Sequence, residues 1–186
     1  MGKITDRKFF ERGADEVAKD LLGKVICHNG KKYMITVTEA YPYNEKPDKN
    51  GNEISYVNRH EKGKGYNALI GDGNVGNCFS YAGMLHVVCG GGIREGEYRC
   101  GNILIRGGIL IENDEYQKDK KDLNYKKGQP YKLCKKLLDI DKDFNKKADN
   151  IIKGYKSFPD KIKNDKRIGL NSDNPYRYYL DLDELK

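Results

Sequence analysis

The chain has 186 residues, of which 37% are hydrophobic and 34% are charged, with Lys+Arg 35 against Asp+Glu 28. This length suits one sizeable core, so we expect a single domain over residues 1–186. No apolar run approaches the roughly 20 residues of a membrane span and no signal peptide is evident, so we expect a soluble intracellular protein, cytoplasmic or in the nucleoid or nucleus.

The formal net charge of +7 is concentrated in the second half of the chain. Residues 118–166 contain 16 lysines and 8 aspartates. Such a basic half suits a polyanionic partner such as nucleic acid, although a lysine-rich solvated surface has the same composition. Charge alone leaves both interpretations open.

Cysteine and histidine spacing argues against a metal centre. The five cysteines form no C-x-x-C pair, so we expect reduced, mostly buried thiols. The three histidines form no H-x-x-x-H cluster. We therefore predict neither a metal ion nor another cofactor.

The first predicted elements are a helix and a β-hairpin. Apolar residues recur at helical spacing between positions 10 and 22, and Gly23 stands where a C-terminal cap belongs. Residues 24–28 (KVICH), then Asn29-Gly30, then a second apolar run predict two strands joined by a type I′ turn. Pro42 ends the second strand, because proline cannot donate to a sheet ladder.

Later patterns predict mainly strands. Residues 44–76 are polar and glycine-rich, which we interpret as loops. Strand patterns follow at residues 84–89 (MLHVVC) and 102–111 (NILIRGGILI), the second apolar at both parities as in a central strand. A short amphipathic helix is predicted at 130–138 and a last strand at 176–182. Without regular βαβ alternation, these elements predict an α+β fold with a curved, largely antiparallel sheet flanked by helices.

Glu39 lies where a strand pattern places apolar residues. The odd positions from 33 to 41 carry Tyr, Ile, Val, Glu and Tyr, so period-two alternation puts this carboxylate on the bulkiest apolar face. Arg106 is a lone charge in its own strand pattern and, if buried, needs a carboxylate partner. Glu39 and Arg106 could form a salt bridge that closes the core, or Arg106 could hold Glu39 while it activates a water. The ring of Tyr41, close by on the same face, suits a planar substrate.

Five short motifs, in order, resemble those of the 3-methyladenine (alkyladenine) DNA glycosylases. The similar segments are residues 37–41 (VTEAY, family ETEAY), 103–106 (ILIR, family VLLR), 128–144 (GQPYKLCKKLLDIDKDF, family GPGKLCQAL followed by IDKSF), 167–169 (RIG) and 175–179 (PYRYY, family PxRFY). His60, in NRH, resembles the histidine of the family's DxAxH segment. The resemblance runs from about residue 9 to residue 180.

The resemblance implies a monofunctional DNA N-glycosylase of base excision repair. Such an enzyme rotates a damaged purine out of the duplex, excises it and leaves an abasic site. By similarity, Glu39 would be the general base that deprotonates the attacking water, and Arg106 would help hold that water. Tyr41 and His60 would sandwich the flipped base, with the ring of Tyr41 attracting an alkylated, cationic purine. The partner would be double-stranded DNA containing alkylated or deaminated purines, and we expect a monomer.

The family's YVYxxYG segment is altered in residues 76–84 (GNCFSYAGM). In the family it supplies a stacking ring and a tyrosine that wedges into the space left by the flipped base. Ungapped alignment puts Phe79 at the stacking position and Ala82 at the wedge, whereas one inserted residue puts Cys78 and Tyr81 there. We predict that Phe79 stacks and Tyr81 intercalates, the alternative being that both are ordinary core or surface aromatics.

The family's gate asparagine, which screens normal purines, falls on or near Cys89. Loss of a hydrogen-bonding gate is expected to change base preference, so Cys89 is a predicted base-binding position. His86 lies nearby, but a lone histidine on a strand is more typical of a structural residue.

Two other functions fit parts of the pattern. One is a catalytically weak or inactive nucleic-acid-binding relative, and the other is a small-molecule hydrolase with the same fold. The joint presence of Glu39, Tyr41, His60 and Arg106 favours the DNA glycosylase, because a pure binder gains nothing from a carboxylate that repels phosphate.

Overall fold

The computed structural model describes residues 6–113, 115–116, 127–170 and 173–184. The strands are β1 Val25–His28, β2 Lys31–Tyr41, β3 Asn77–Tyr81, β4 Met84–Arg94, β5 Glu97–Glu112, β6 Glu115–Tyr116, β7 Asn145–Lys147, β8 Ile152–Lys153, β9 Ile162–Asp165 and β10 Arg177–Leu180. The helices are α1 Arg7–Phe10, α2 Ala14–Leu21, α3 Tyr56–Arg59, α4 Lys64–Leu69 and α5 Ala148–Ile151, with a π-helical segment at Lys132–Leu137 and 3-10 turns at Asp72–Asn74 and Pro159–Lys161.

An antiparallel sheet with strand order β7-β3-β4-β5-β2-β1-β8 forms the centre of the fold. Along one edge β2 pairs with β5, and along the other it pairs first with β1 and then with β10. The predicted α+β fold with a largely antiparallel sheet is confirmed. Because β2 and β5 are central, the residues near the end of β2 and the start of β5 lie side by side.

Type I′-like turns connect the main hairpins. Asn29-Gly30 joins β1 to β2 as predicted, and Ala82-Gly83 and Glu95-Gly96 join β3 to β4 and β4 to β5. All six residues have positive φ, between 48° and 82°. Asn-Gly signalled its turn because both residues tolerate positive φ, whereas alanine in the second turn gave no such signal.

The predicted first helix is split in two. α1 ends at Phe10 and α2 begins at Ala14, with Gly13 at its N-cap. The apolar positions of α2 are buried against the sheet, and Thr38 of β2 donates a hydrogen bond to the carbonyl oxygen of Ala18 (2.9 Å). Gly23 has a φ of +80°, as the predicted cap requires.

The interpretation of residues 44–76 as loops is wrong in part. This stretch contains α3, α4 and the first 3-10 turn. Gly63 and Gly71, both with positive φ, stand directly before α4 and that turn, so these glycines separate short helical turns. Buried Val57 and Leu69 anchor the turns to the core.

The remaining predicted helix and strands agree with the structure apart from two differences. The predicted helix at 130–138 is helical but wound as a π-helix over Lys132–Leu137, and β3 was not predicted at all. The last strand, β10, lies within the predicted range. All five cysteines are free thiols, four of them buried, as expected.

Within the described ranges, no helix has both the length and the apolar character needed to cross a bilayer. Part of the predicted basic half, residues 117–126, lies outside the described residues.

Candidate active site

Glu39 is fully buried near the end of β2 and accepts hydrogen bonds at both carboxylate oxygens. Arg106 Nη1 donates to Oε2 at 3.1 Å, and the hydroxyl of Tyr41 donates to the same oxygen at 2.9 Å. The backbone N–H of Ile168 donates to Oε1 at 2.9 Å. A carboxylate has about four acceptor positions, so these three bonds from described residues leave one position, on Oε1, for a further donor such as water.

An irregularity in the sheet brings Arg106 to Glu39. The pairing of β2 with β5 shifts between Ile35 and Val37 and again between Val37 and Thr38, so the expected alternation does not run unbroken from residue 33 to residue 41. Such bulges re-aim side chains. Arg106 lies at the second shift, and its Nε donates to the carbonyl oxygen of Lys127 at 2.9 Å, which fixes the guanidinium.

Tyr41 connects Glu39 to a second buried ion pair. Burial, and then the neighbouring charge of Glu39, raise the pKa of the Tyr41 phenol, so it stays protonated and donates. The Arg167 guanidinium lies 4.7 Å from the centre of the Tyr41 ring. Arg167 is paired with Glu45 (Nη1 to Oε2, 2.8 Å), and both side chains are almost completely buried. The ring of Tyr41 is therefore held against an arginine whose charge is balanced by Glu45.

A surface cavity of about 180 Å³ opens beside Tyr41. An apolar cavity of about 150 Å³ can hold a benzene ring, so this cavity has room for a planar ring. It lies among the β3–β4 hairpin, the adjoining ends of β2 and β5, and the α3–α4 region. Its walls are formed by Tyr41, Arg59, Gly65, Leu69, Phe79, Tyr81, Met84, His86, Asn102 and Leu104.

The hairpin wall of the cavity is built around His86. The Phe79 ring stacks on His86 (centroids 5.2 Å apart, planes at 23°), and the Tyr81 ring meets it edge-on at 6.4 Å. Asn102 Nδ2 lies 3.0 Å from His86 Nδ1. An amide nitrogen only donates, so Nδ1 accepts and the proton of the neutral imidazole is on Nε2, which is buried without a hydrogen-bond partner. Burial lowers the pKa of His86 to about 4, so the ring is neutral at pH 7.

The structure brings most of the predicted site residues together. Tyr41, Phe79 and Tyr81 line the cavity, and Glu39 and Arg106 lie directly behind Tyr41. Tyr81, however, is the last residue of β3, and its half-buried ring faces this cavity. The hairpin tip, where a wedge would project, is Ala82-Gly83.

Two predicted base-binding residues do not line the cavity formed by the described residues. His60 is exposed just after α3, and the helix places its neighbour Arg59 at the cavity instead. Cys89 is fully buried, with its sulfur 3.0 Å from where a Cβ on Gly101 would lie. Side chains alternate between the two faces of a strand, and Cys89 is three positions after His86 in β4. Cys89 is therefore on the opposite face of the strand from His86.

Sequence analysis favoured a structural role for His86 and did not single out Asn102, yet both line the cavity. His86 and Met84 are two residues apart in β4, so strand alternation predicts that they share a face. The contact of His86 with Phe79 depends on the pairing of β4 with β3, a strand that was not predicted. Asn102 begins an apolar run and pairs across from Tyr41. Because Asn102 is a polar residue at the start of the predicted strand 102–111, it could have been predicted to lie at the site.

Comparison with protein families shows a match over residues 8–184 to the family model described as methylpurine-DNA glycosylase. No individual curated protein matched the chain.

Proposed function

Because the chain belongs to the methylpurine-DNA glycosylase family, we propose that it flips alkylated or deaminated purines out of duplex DNA and hydrolyses their N-glycosidic bonds. Family membership supports a DNA glycosylase role in base excision repair, with DNA as the substrate. The observation that carries the finer proposal is the buried, arginine-paired Glu39 with one open acceptor position, directly behind an aromatic cavity.

Glu39 is the general base in this proposal. A water at the open position on Oε1 gives its proton to the carboxylate while its oxygen forms a bond to C1′ of the deoxyribose. The bond between C1′ and N9 breaks, and its electron pair leaves with the purine. Arg106 and the N–H of Ile168 hold the carboxylate in place. A positioned general base typically contributes 10²- to 10⁴-fold to the rate.

The cavity favours a leaving base that needs no proton. Among the described residues that line it there is no carboxyl group, His86 is neutral at pH 7, and the pKa of the Tyr41 phenol is raised. A purine alkylated at N3 or N7 is already cationic and departs as a neutral base. We therefore expect 7-methylguanine to be released faster than hypoxanthine, which lacks this charge.

In this proposal, base binding rests on ring contacts and on a donor from His86. Tyr41 and Phe79 supply aromatic walls, in keeping with the planar shape of a purine. The unpartnered His86 Nε2–H is the group that a bound base with an acceptor, such as O6 of 7-methylguanine, would satisfy. In this proposal Tyr81 is a wall of the cavity, and base binding does not depend on His60 or Cys89, which do not line it among the described residues.

Excision from synthetic duplexes tests this function. Duplexes carrying 7-methylguanine, hypoxanthine or 1,N6-ethenoadenine are incubated with the protein, and alkali then reveals abasic sites as strand breaks. We expect breaks only after alkali, because the proposed step hydrolyses the N-glycosidic bond and leaves the sugar-phosphate backbone intact. Duplex binding without release of any of these bases would support the inactive relative.

A further inference from the structure

We propose that Tyr131 is the residue that fills the space left in the duplex when the target base is flipped out. This inference rests on the proposed function, because a wedge is needed only if a base leaves the stack. It assigns the role to the helical segment next to the hairpin and not to the hairpin itself.

The tip of the β3–β4 hairpin has no side chain large enough for this role. Ala82 and Gly83 form the turn, with φ of 49° and 73°, and Ala82 is exposed. A methyl group cannot replace the stacking area of a purine. The nearest hairpin ring, Tyr81, is turned to the cavity wall against His86.

Tyr131 supplies an aromatic ring at this tip. Its Cδ2 and Cε2 both lie 2.7 Å from where a Cβ on Gly83 would be, so the ring lies directly on the glycine. It is nevertheless 57% exposed, and among the described residues it is the one aromatic in the group of exposed large hydrophobic side chains, with Ile93 and Ile168. One part of the ring is therefore held by the turn that connects Tyr81 and Met84, two residues that line the cavity, while the rest faces solvent.

The segment that carries Tyr131 is anchored and basic. Leu133 and Cys134 are completely buried beneath it, and Leu133 N–H donates to the carbonyl oxygen of Gln129 at 2.9 Å. Lys132 follows Tyr131 directly, and Lys135 Cε lies 3.9 Å from the same point at Gly83. An exposed aromatic ring among lysines suits contact with bases flanked by phosphates.

The absence of tryptophan from the chain allows a direct test. Tyr131→Trp introduces a single tryptophan, whose emission is recorded while a duplex containing a stable abasic-site analogue is added and binding is followed separately by anisotropy. We expect strong quenching, because the indole stacks in the vacant position. Ile93→Trp, at a 70% exposed position near the end of β4, is the matched control and should not be quenched.

Excision assays supply the second measurement. Tyr131→Ser should release 7-methylguanine from duplex at least tenfold more slowly in single turnover, whereas Tyr131→Phe should stay within about twofold of wild type. Binding without quenching of Tyr131→Trp, or wild-type duplex excision by Tyr131→Ser, would overturn the assignment. If the wild type binds the abasic duplex and quenching occurs but no base is released, the wedge stands and the proposed excision is wrong.

Discussion

Glu39 and Glu45 are both buried carboxylates paired with an arginine, but their surroundings give them different roles. Tyr41, a wall of the cavity, hydrogen-bonds to Glu39, and its ring lies on Arg167, the partner of Glu45. The side chain of Tyr41 is thus the group between Glu39 and the cavity. Glu45 instead pairs with Arg167, which lies against the Tyr41 ring. Breaking either pair leaves a buried charge uncompensated, but in the proposed mechanism it is Glu39 that acts on a water.

His86 makes the stability of the fold sensitive to acid. Burial lowers its pKa to about 4 from 6.5, so between these values the unfolded chain binds the proton that the folded chain excludes. Its contribution to stability is therefore complete above about pH 6.5 and is lost as the pH falls towards 4. His86→Phe, which keeps a flat ring against Phe79, should lose less free energy of unfolding between pH 7 and pH 4.5 than wild type.

Urea denaturation at the two pH values measures this difference. Parallel losses in wild type and His86→Phe would contradict the assignment of a neutral, proton-excluding imidazole.

At the scale of elements, Gly83 in the turn of the β3–β4 hairpin is expected to affect both the stability of the fold and the position of Tyr131. An alanine there needs the same unfavourable positive φ as at Gly96, in the next hairpin, where a Cβ would meet no atom within 4 Å. At Gly83 the added methyl also collides with the Tyr131 ring. Gly83→Ala and Gly96→Ala should both lower stability, by roughly 1–2 kcal/mol for the backbone strain alone.

The two variants should differ in activity. Displacement of Tyr131 by Gly83→Ala is expected to slow excision from duplex DNA several-fold, whereas Gly96→Ala keeps the wild-type rate. Single-turnover rates at matched folded fractions compare them, and equal rates would argue against a role for the turn contact.

Local sequence patterns correctly predicted those turns and helices that are determined by residues close together in the chain. Asn29-Gly30 marked a turn, and the apolar positions of α2 marked a helix, because both depend on nearby residues. Strand β3 (NCFSY) has only five residues between glycine-containing turns, which is too short for a clear alternating pattern, so local sequence did not predict it. Because β3 was not predicted, the stacking of Phe79 on His86 was not predicted either, since these two residues meet only when β3 pairs with β4.

At the scale of the whole molecule, the strand motifs located Glu39, Tyr41 and Arg106, and the fold brings them together. The predicted base-binding residues His60 and Cys89 lie outside the cavity lining formed by the described residues. His60 is exposed just after α3, and Cys89 is buried on the opposite face of its strand. Side-chain direction after a loop depends on tertiary packing and register, which short motifs do not specify.

The net charge of +7 predicts how binding responds to salt. If the lysine-rich half contacts phosphates, each contact releases a counterion, and affinity for duplex should fall more than about tenfold between roughly 50 and 200 mM salt. Anisotropy titrations with an undamaged duplex measure this slope. Affinity that is independent of salt would exclude phosphate contacts by this surface.

The most direct test of the account is the rate of 7-methylguanine release by Glu39→Gln in single turnover. The amide keeps the shape of the side chain but cannot take a proton from water, so we predict a loss of about 10²- to 10⁴-fold with duplex affinity retained. Glu45→Gln, which breaks the other buried ion pair, should remain within about tenfold of wild type at matched folded fractions. Release by Glu39→Gln at the wild-type rate would contradict the assignment of Glu39 as the general base.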